Sequence, residues 1–282
     1  MSMHAAIESI SELLQCPACR QGQIVVEQAG ALLRCTDCDR RYSIWNGVLD
    51  LLRDQDRPLA NKAFGKLAAW SYDRFAARSA FRKFYRWRFE DEFEEYTRFV
   101  ELRPSDVVLD VGCGTGNYTL PFAAKLTAGV AIGLDLSTAM LELLLRHAQV
   151  QGVQNVIAIR ANAEALPFRD GCLPRVFNGC LHHVFPHVRP SLAETYRCLE
   201  PGGVLFGSTF FATQPLLHRI MQWAGALALR SRSVVAAVLE RELAVVGFQD
   251  VMVNPGRLGQ FFFGNYRATK PDLGGSPCPN DW

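Results

Sequence analysis

The chain from residue 107 to residue 268 alternates short apolar runs with longer amphipathic segments. The apolar runs are rich in β-branched residues and predict strands, at residues 107–111, 130–134, 155–160, 175–180, 203–210, 250–254 and 260–268. Between them, helical periodicity predicts helices at residues 117–126, 138–150, 189–199 and 234–246. Because strands and helices alternate, we expect an α/β fold with a doubly wound, mostly parallel, seven-stranded sheet. A ligand crevice is then expected at the carboxyl ends of the strands.

A strongly aromatic helical segment precedes the first of these strands. Its aromatic residues recur at three- and four-residue steps, on one face of a long amphipathic helix: Phe81, Phe84, Tyr85, Phe89, Phe93, Tyr96 and Phe99. Basic residues at 78, 82, 83, 86 and 88 make a nucleic-acid surface an alternative. We prefer burial of the aromatic face in a helical lid over the main domain, because an acidic run at 90–95 follows at once.

Two CxxC pairs, Cys16/Cys19 and Cys35/Cys38, stand fifteen residues apart near the start of the chain. This spacing is typical of a four-thiolate zinc site. Short strand-like runs at 23–28, 31–34 and 41–44 accompany the pairs, and so small a unit needs a metal for its folding energy. Four thiolates leave no open coordination position, so we expect a structural zinc. Rubredoxin-like iron and a redox dithiol pair are the alternatives.

Three alternating glycines, Gly112, Gly114 and Gly116, end the first predicted strand. Without Cβ atoms they let a ligand approach the backbone, and the helix that follows offers unpaired N–H groups. Asp110 precedes them, and their order differs from the GxGxxG dinucleotide fingerprint. The segment 109–116 resembles the first motif of class I S-adenosylmethionine-dependent methyltransferases, and the resemblance extends to about residue 268. It implies a Rossmann-like domain that binds S-adenosyl-L-methionine at Asp110 and the glycines.

The same resemblance implies further contacts with the cofactor. Asp135 ends the second strand, where a carboxylate accepts hydrogen bonds from both ribose hydroxyls, and Leu136 adjoins it. Ser137 is the better helix N-cap, which leaves Asp135 for the ligand. Where the family usually has an acidic residue that meets the adenine amino group, this chain has Asn162, followed by Ala163. The Asn162 side-chain carbonyl can still accept that hydrogen bond.

Other segments differ in how closely they match the family. Tyr72 lies in a Tyr-Asp element like that of small-molecule methyltransferases and is a cofactor-side candidate. Pro174 and Arg175 replace an expected Phe-Asp, so we expect an unusual loop at 170–175. His182 and His183 follow the fourth strand in a segment that resembles the UbiE-like branch, also called methyltransferase type 11.

Two alternatives stand for the histidine pair. An imidazole takes up a proton near neutral pH, so either histidine could be a catalytic general base. Family members generally use the pair in the pocket wall, and we prefer that interpretation. Further along, Glu194 and Arg197 are three residues apart on a helix and are expected to form a structural pair.

Composition sets the remaining expectations. The 282 residues, 49% of them hydrophobic, allow one main domain and a small appendage. A net charge of +2 gives no general attraction to nucleic acid or anionic membranes. The chain shows neither a signal-like basic start nor an apolar run of about 18 residues, so we expect a cytoplasmic protein.

We divide the chain into a zinc ribbon (1–52), a linker and helical lid (53–103), a methyltransferase domain (104–270) and a flexible tail (271–282). The ribbon resembles the Trm112-like ribbons that precede some bacterial methyltransferases. A cap insertion at 213–233 would exclude water from an apolar acceptor. It is read as a packed helix, with transient membrane contact as the alternative.

The expected activity is SN2 methyl transfer from S-adenosylmethionine to a small, apolar or aromatic acceptor. One alternative is an rRNA or tRNA base methyltransferase whose ribbon recognises RNA, although the near-neutral charge and the His-His segment count against it. The other is a non-catalytic S-adenosylmethionine-binding or zinc-scaffold protein. Asn162 and the unusual 170–175 loop favour this alternative. The oligomeric state is left open.

Overall fold

The computed structural model describes residues 3–27, 32–61, 65–71, 73, 89–182, 185–211, 234–255 and 263–272. Its first part comprises α1 (Met3–Ser11), β1 (Ile24–Val26), β2 (Leu32–Cys35), β3 (Arg41–Trp45), β4 (Val48–Asp50), a 3-10 turn (Asp54–Asp56), α2 (Arg57–Ala60), α3 (Lys66–Ser71) and α4 (Phe89–Phe99). Its second part comprises β5 (Val107–Val111), α5 (Thr119–Lys125), β6 (Val130–Asp135), α6 (Thr138–Gln151), β7 (Val156–Arg160), β8 (Leu173–Gly179), α7 (Arg189–Cys198), β9 (Leu199–Phe210), α8 (Ala236–Val246), β10 (Gln249–Asn254) and β11 (Phe263–Thr269).

The seven predicted strands form one sheet in the order β7-β6-β5-β8-β9-β11-β10. The first five are parallel, while β11 runs antiparallel to β9 and to β10. The chain reverses its direction of travel across the sheet at β5, whose neighbours are β6 and β8. The predicted α/β, doubly wound class is confirmed, and β5 is the switch point at which such sheets bind ligands.

The described sheet has eleven strands rather than seven, because the four N-terminal strands continue it. The join is the parallel pairing of β4 with β7, in which Asp50 lies beside Arg160. The Arg160 guanidinium donates to the Asp50 carboxylate at 3.1 Å. β4 has only three residues, too few to show a strand period, and its pairing covers an edge that β7 would otherwise leave open.

Burial explains why the central elements were predictable. All five residues of β5 are buried, and a strand covered on both faces reads as a continuous apolar run. Helix α6 begins where the Ser137 side chain accepts from the Met140 N–H, and it ends at Gly152, whose φ is 70°. Ser137 is therefore the N-cap, as predicted.

The aromatic face of α4 is packed against the sheet. Phe93 and Tyr96 are buried, and their rings lie 5.0 Å from Phe122 and 5.4 Å from Phe177 respectively. The preference for burial is confirmed for this part of the predicted long helix. Residues 74–88, with the basic residues at 78–88, lie outside the described residues.

Two further expectations meet the structure near the strands. The unusual loop expected at 170–175 is shorter than predicted, because Pro174 and Arg175 belong to β8. The irregularity is a register shift between Leu173 and Arg175 against β9, and Arg175 donates to the Val100 carbonyl at 3.2 Å. The expected cap at 213–233 and the tail from residue 273 lie outside the described residues. None of the helices described is long and apolar enough to cross a membrane.

Candidate functional site

The glycine turn between β5 and α5 has left-handed backbone at all three glycines. Their φ angles are 75° at Gly112, 54° at Gly114 and 88° at Gly116. A Cβ at Gly112 would lie 2.8 Å from Leu181 Cδ1, and one at Gly116 would overlap Leu144 Cδ1. Only glycine fits these positions without strain, so the turn keeps its backbone accessible at the switch point of the sheet.

Asp135 closes the turn from the end of β6. Its Oδ2 accepts from the Gly114 N–H at 3.0 Å, and its Oδ1 accepts from the Ser137 N–H at 2.8 Å. Burial raises the pKa of Asp135 above its usual value, while the N–H donors of Ser137 and Gly114 act in the opposite direction. A carboxylate has about four lone-pair sites, so each oxygen can still accept from a ribose hydroxyl. Leu136 follows it, and its carbonyl accepts from Arg160 Nε at 3.1 Å.

Asp110 lies beneath the turn and is only 2% exposed. Its Oδ2 accepts from the Thr119 hydroxyl at 2.6 Å, which ties β5 to the start of α5. Burial raises the pKa of Asp110 to about 7, against the opposing effect of the Thr119 hydrogen bond. In this position Asp110 supports the turn, and direct contact with the cofactor stays a prediction.

Asn162 follows β7 at the same edge of the sheet and is buried. Its Oδ1 accepts from the Glu164 N–H at 3.0 Å, and its Nδ2 donates to Asp56 Oδ1 at 3.0 Å. Ala163, the next predicted site residue, is also buried. Asp56 was not predicted as a site residue, because residues 53–58 have the composition of a polar linker. Its partner Asn162 is 106 positions away in the sequence.

Asp73, the neighbour of Tyr72 in the sequence, reaches the glycine turn through His147. Tyr72 itself is outside the described residues, but Asp73 Oδ2 is 3.4 Å from His147 Nε2. The other ring nitrogen of His147 is 3.1 Å from the Thr115 carbonyl oxygen. His147, also missed from the sequence, therefore connects this segment with the turn.

His182 lies beyond the end of β8 and is 1% exposed. Its ring centroid is 5.3 Å from that of Tyr266, so the side chain is packed against a buried aromatic residue. Both interpretations of the histidine pair, pocket wall and general base, stay predictions. His183 lies outside the described residues.

The four predicted zinc ligands come together in space. Their Sγ atoms all lie within 4.8 Å of one another, with Cys16 and Cys38 at 3.8 Å and Cys19 and Cys35 at 3.6 Å. Zinc–sulfur bonds of about 2.3 Å in a tetrahedron give sulfur–sulfur separations of about 3.8 Å. The donor set thus fits a tetrahedral thiolate site.

Backbone geometry around the cysteines also suits thiolates. The Gly22 N–H lies 3.5 Å from Cys19 Sγ, and this hydrogen bond is the main reason that the pKa of Cys19 is lowered to about 6. Burial acts in the opposite direction on Cys35 and raises the pKa of its thiol to about 12. The residues directly after the two CxxC pairs, Arg20 and Asp39, both have left-handed φ angles. The two halves of the site are therefore built alike.

The ribbon holds the loop that follows Asn162. The Gln15 N–H donates to the Pro167 carbonyl at 3.0 Å, and the Arg169 N–H donates to the Leu13 carbonyl at 2.9 Å. On the other side of the loop, Glu194 accepts from the Leu166 N–H at 2.9 Å. Glu194 also pairs with Arg197, as predicted, and with Arg20 of the ribbon.

Comparisons with known proteins agree with this geometry. The methyltransferase domain family matches residues 108–203. An uncharacterised chloroplastic methyltransferase of Arabidopsis thaliana is 26% identical over 92% of this chain and 79% of its own. The demethylmenaquinone methyltransferase of Symbiobacterium thermophilum is 36% identical over 41% of this chain, a match that spans only 47% of that protein.

A similar fold occurs in phosphoethanolamine N-methyltransferase 2 of Haemonchus contortus, determined in complex with S-adenosyl-L-methionine. Its TM-score is 0.64 at 15% sequence identity, over 78% of this chain and 60% of that one. The open parallel sheet with its glycine turn and Asp135 defines a domain that binds a nucleotide-like cofactor. Together, the matched domain, the relatives and the shared fold support a class I S-adenosylmethionine-dependent methyltransferase.

Proposed function

We propose that this methyltransferase acts on a small acceptor with an aromatic or apolar body, such as a phenol or quinol. The observation that carries the proposal is the wall beside the glycine turn. Tyr118, directly after the turn, is half-buried, and its ring lies 4.7 Å from Phe177 and 6.0 Å from Tyr96. Tyr96 and Phe177 are buried and support the Tyr118 ring from the core, and a partly exposed ring beside the methyl donor would favour a flat apolar partner.

The ends of the neighbouring strands add neutral polar groups. Asn178 near the end of β8 and Ser208 near the end of β9 are buried, and neither Asn178 Oδ1 nor Ser208 Oγ has a hydrogen-bond partner among the described residues. Buried polar atoms of this kind are normally satisfied, and an acceptor hydroxyl is a suitable partner. Demethylmenaquinone methyltransferases among the relatives point to the same acceptor class.

S-adenosylmethionine, when bound, supplies an electrophilic methyl group on a sulfonium. The task of this chain is then positioning, which contributes up to about 7–11 kcal/mol when donor and acceptor are aligned. Asp135 and the turn from Gly112 to Gly116 would orient the donor, with Asn162, Ala163 and Leu136 at its purine end. His182 would help to exclude water from the acceptor site. An acceptor that ionises readily needs no protein base.

We also propose that Cys16, Cys19, Cys35 and Cys38 hold a structural zinc ion. The match of the sulfur separations to a tetrahedron supports this assignment. Metal analysis of the purified protein should return one zinc per chain, and Cys19→Ser should lower that content and destabilise the ribbon. A preparation that folds normally without metal would overturn it.

The acceptor is tested with a methyl-transfer assay on the zinc-loaded protein. Formation of S-adenosylhomocysteine is followed with a panel of quinols, catechols and phenols, and in parallel with total RNA. Transfer to a panel member, lost in Asp135→Ala, supports the proposal. Transfer to RNA alone, with steep salt dependence, would assign the RNA alternative. Cofactor binding with no transfer in either arm would favour a non-catalytic protein.

A further inference from the structure

Four neighbouring parallel strands end at one edge of the sheet, and the ribbon contributes the outermost of them. β5, β6 and β7 lead to the glycine turn, Asp135 and Asn162, and β4 leads through residues 51–53 to the turn that carries Asp56. The crevice expected at the carboxyl ends of the strands is therefore one strand wider than in the seven-stranded sheet alone. Asp56 is only 7% exposed at this added edge.

The hydrogen bonds of Asn162 permit a single orientation of its amide. Nδ2 donates to Asp56 Oδ1, and Oδ1 accepts from the Glu164 N–H, both at 3.0 Å. The flipped amide would place oxygen against a carboxylate and NH2 against an N–H donor. Since a carbonyl oxygen has two lone pairs, Asn162 Oδ1 keeps one for a further donor.

Asp56 is itself held in place by Arg53. The guanidinium donates from Nε to Oδ2 at 2.6 Å and from Nη2 to Oδ1 at 3.1 Å. A bidentate pair of this kind fixes the plane of the carboxylate. An aspartate at 162 would stand about 3 Å from this carboxylate, and like charges so close oppose each other. The acid at 56 thus accounts for the amide at 162.

We propose that Asp56, from the segment after the ribbon, is a positioning residue for the purine end of the methyl-donor site. It holds Asn162 so that the amide oxygen, polarised by the adjacent carboxylate, accepts from the 6-amino group of adenine. The proposal rests on the cofactor site described above, and it assigns to a pair of residues the role for which related enzymes use one acid.

The test compares two ligands that differ at the 6-position of the purine and, as a consequence, in whether the neighbouring N1 carries a hydrogen. S-adenosylhomocysteine carries the 6-amino group, whereas S-inosylhomocysteine carries a 6-oxo group, which accepts instead of donating. Dissociation constants for both are measured by calorimetry on the zinc-loaded, full-length protein. Wild type should prefer the amino ligand by about tenfold or more, equivalent to about 1.4 kcal/mol.

Asp56→Asn should reduce that preference by about fivefold or more, because an amide at 56 lets the Asn162 amide adopt either orientation. Asn162→Asp alone should lower the affinity for both ligands. The double variant Asp56→Asn/Asn162→Asp should restore the preference for the amino ligand, because it moves the carboxylate from position 56 to position 162. Asp54→Asn is the matched control. It removes an exposed carboxylate from the same turn, whose ion pairs among the described residues are with Arg40 and Arg57 at the surface, and it should keep the wild-type preference.

Each remaining outcome is decisive. If the wild type binds both ligands equally, Asp56 is only a structural anchor of the linker. The same conclusion follows if Asp56→Asn folds and its affinity for both ligands falls by the same factor. Thermal unfolding of each variant separates a folding defect from a binding defect. Wild type that binds neither ligand would overturn the cofactor site as well, whereas retained preference in Asp56→Asn would overturn this proposal alone.

Discussion

Asp135 Oδ2 accepts a hydrogen bond from the Gly114 N–H at 3.0 Å, which joins the end of β6 to the middle of the glycine turn. The carboxylate expected to bind the ribose therefore also shapes the turn around the rest of the cofactor. Asp135→Ala should weaken S-adenosylhomocysteine binding by about 10- to 150-fold, since charged hydrogen bonds contribute about 1.5–3 kcal/mol. Calorimetry on the purified variant measures this loss.

Two companion variants sharpen that measurement. Asp135→Asn keeps an acceptor oxygen for one backbone N–H and should lose less affinity than Asp135→Ala. Glu240→Gln removes an exposed carboxylate from α8 and should bind like wild type. Unchanged binding by Asp135→Ala would remove this residue from the cofactor site.

Gly116 and Gly152 allow backbone strain to be separated from steric overlap. Both have left-handed φ angles, 88° and 70°, but a Cβ at Gly116 would overlap Leu144, whereas one at Gly152 would meet nothing within 4 Å. Gly152→Ala should lower the unfolding free energy by about 1–2 kcal/mol through strain alone. Gly116→Ala should lower the unfolding free energy by about 1–3 kcal/mol more than Gly152→Ala does, through overpacking against Leu144. Urea denaturation followed by circular dichroism measures both, and equal losses would show that Leu144 gives way.

Asp110 should make the stability of the protein fall as pH rises from about 4 to about 7. Its pKa is raised to about 7 by burial, compared with about 3.9 in an unfolded chain. Between these values the native state binds more protons than the unfolded state. Its contribution is therefore complete below about pH 4 and is lost as pH rises to about 7, with a slope of up to about 1.4 kcal/mol per pH unit.

The isosteric variant Asp110→Asn isolates this contribution. Denaturation midpoints of wild type and variant are measured from pH 4 to pH 8, and the difference between them should shift against wild type as pH rises. Glu240→Gln, at an exposed position, serves as the control and should follow wild type throughout. Parallel curves for Asp110→Asn and wild type would show that Asp110 titrates in its ordinary range.

The sequence was most informative where one stretch of chain decides its own structure. Four of the five residues of Val107–Val111 are apolar because both faces of β5 are covered, and the left-handed φ angles of the turn that follows require glycine. Both signals are local, so the strand, the turn and the ligand edge were predictable. The clustering of the four cysteines was predictable for the same reason, since it follows from the spacing of the two CxxC pairs.

What the sequence did not reveal depends on partners that are distant along the chain. β4 has three residues and becomes a strand because β7 offers an edge to pair with. Asp56 reads as linker until Asn162 is placed beside it, and His147 reads as one residue of an amphipathic helix until Asp73 and Thr115 approach it. Non-local contacts of this kind have no period or spacing that a single sequence exposes.

Removing zinc should weaken cofactor binding, although the cysteines are not in the cofactor site. Leu13 and Gln15, next to the first CxxC pair, hold the loop at 167–169 through two backbone hydrogen bonds. If zinc supplies the folding energy of the ribbon, its loss frees this loop and Asn162 at its start. Chelation should therefore raise the dissociation constant of S-adenosylhomocysteine by about fivefold or more, a coupling of about 1 kcal/mol.

Thermodynamic linkage provides the second half of this test. Saturating S-adenosylhomocysteine should raise the zinc affinity of the protein by the same factor, because coupling between two binding sites is reciprocal. Competition with a chromophoric chelator, with and without the ligand, measures that factor. Re-adding zinc should restore cofactor affinity, which separates metal loss from irreversible unfolding. Equal cofactor affinity in zinc-free and zinc-loaded protein would mean that the ribbon holds its contacts with the loop without metal, and the two sites would then be independent.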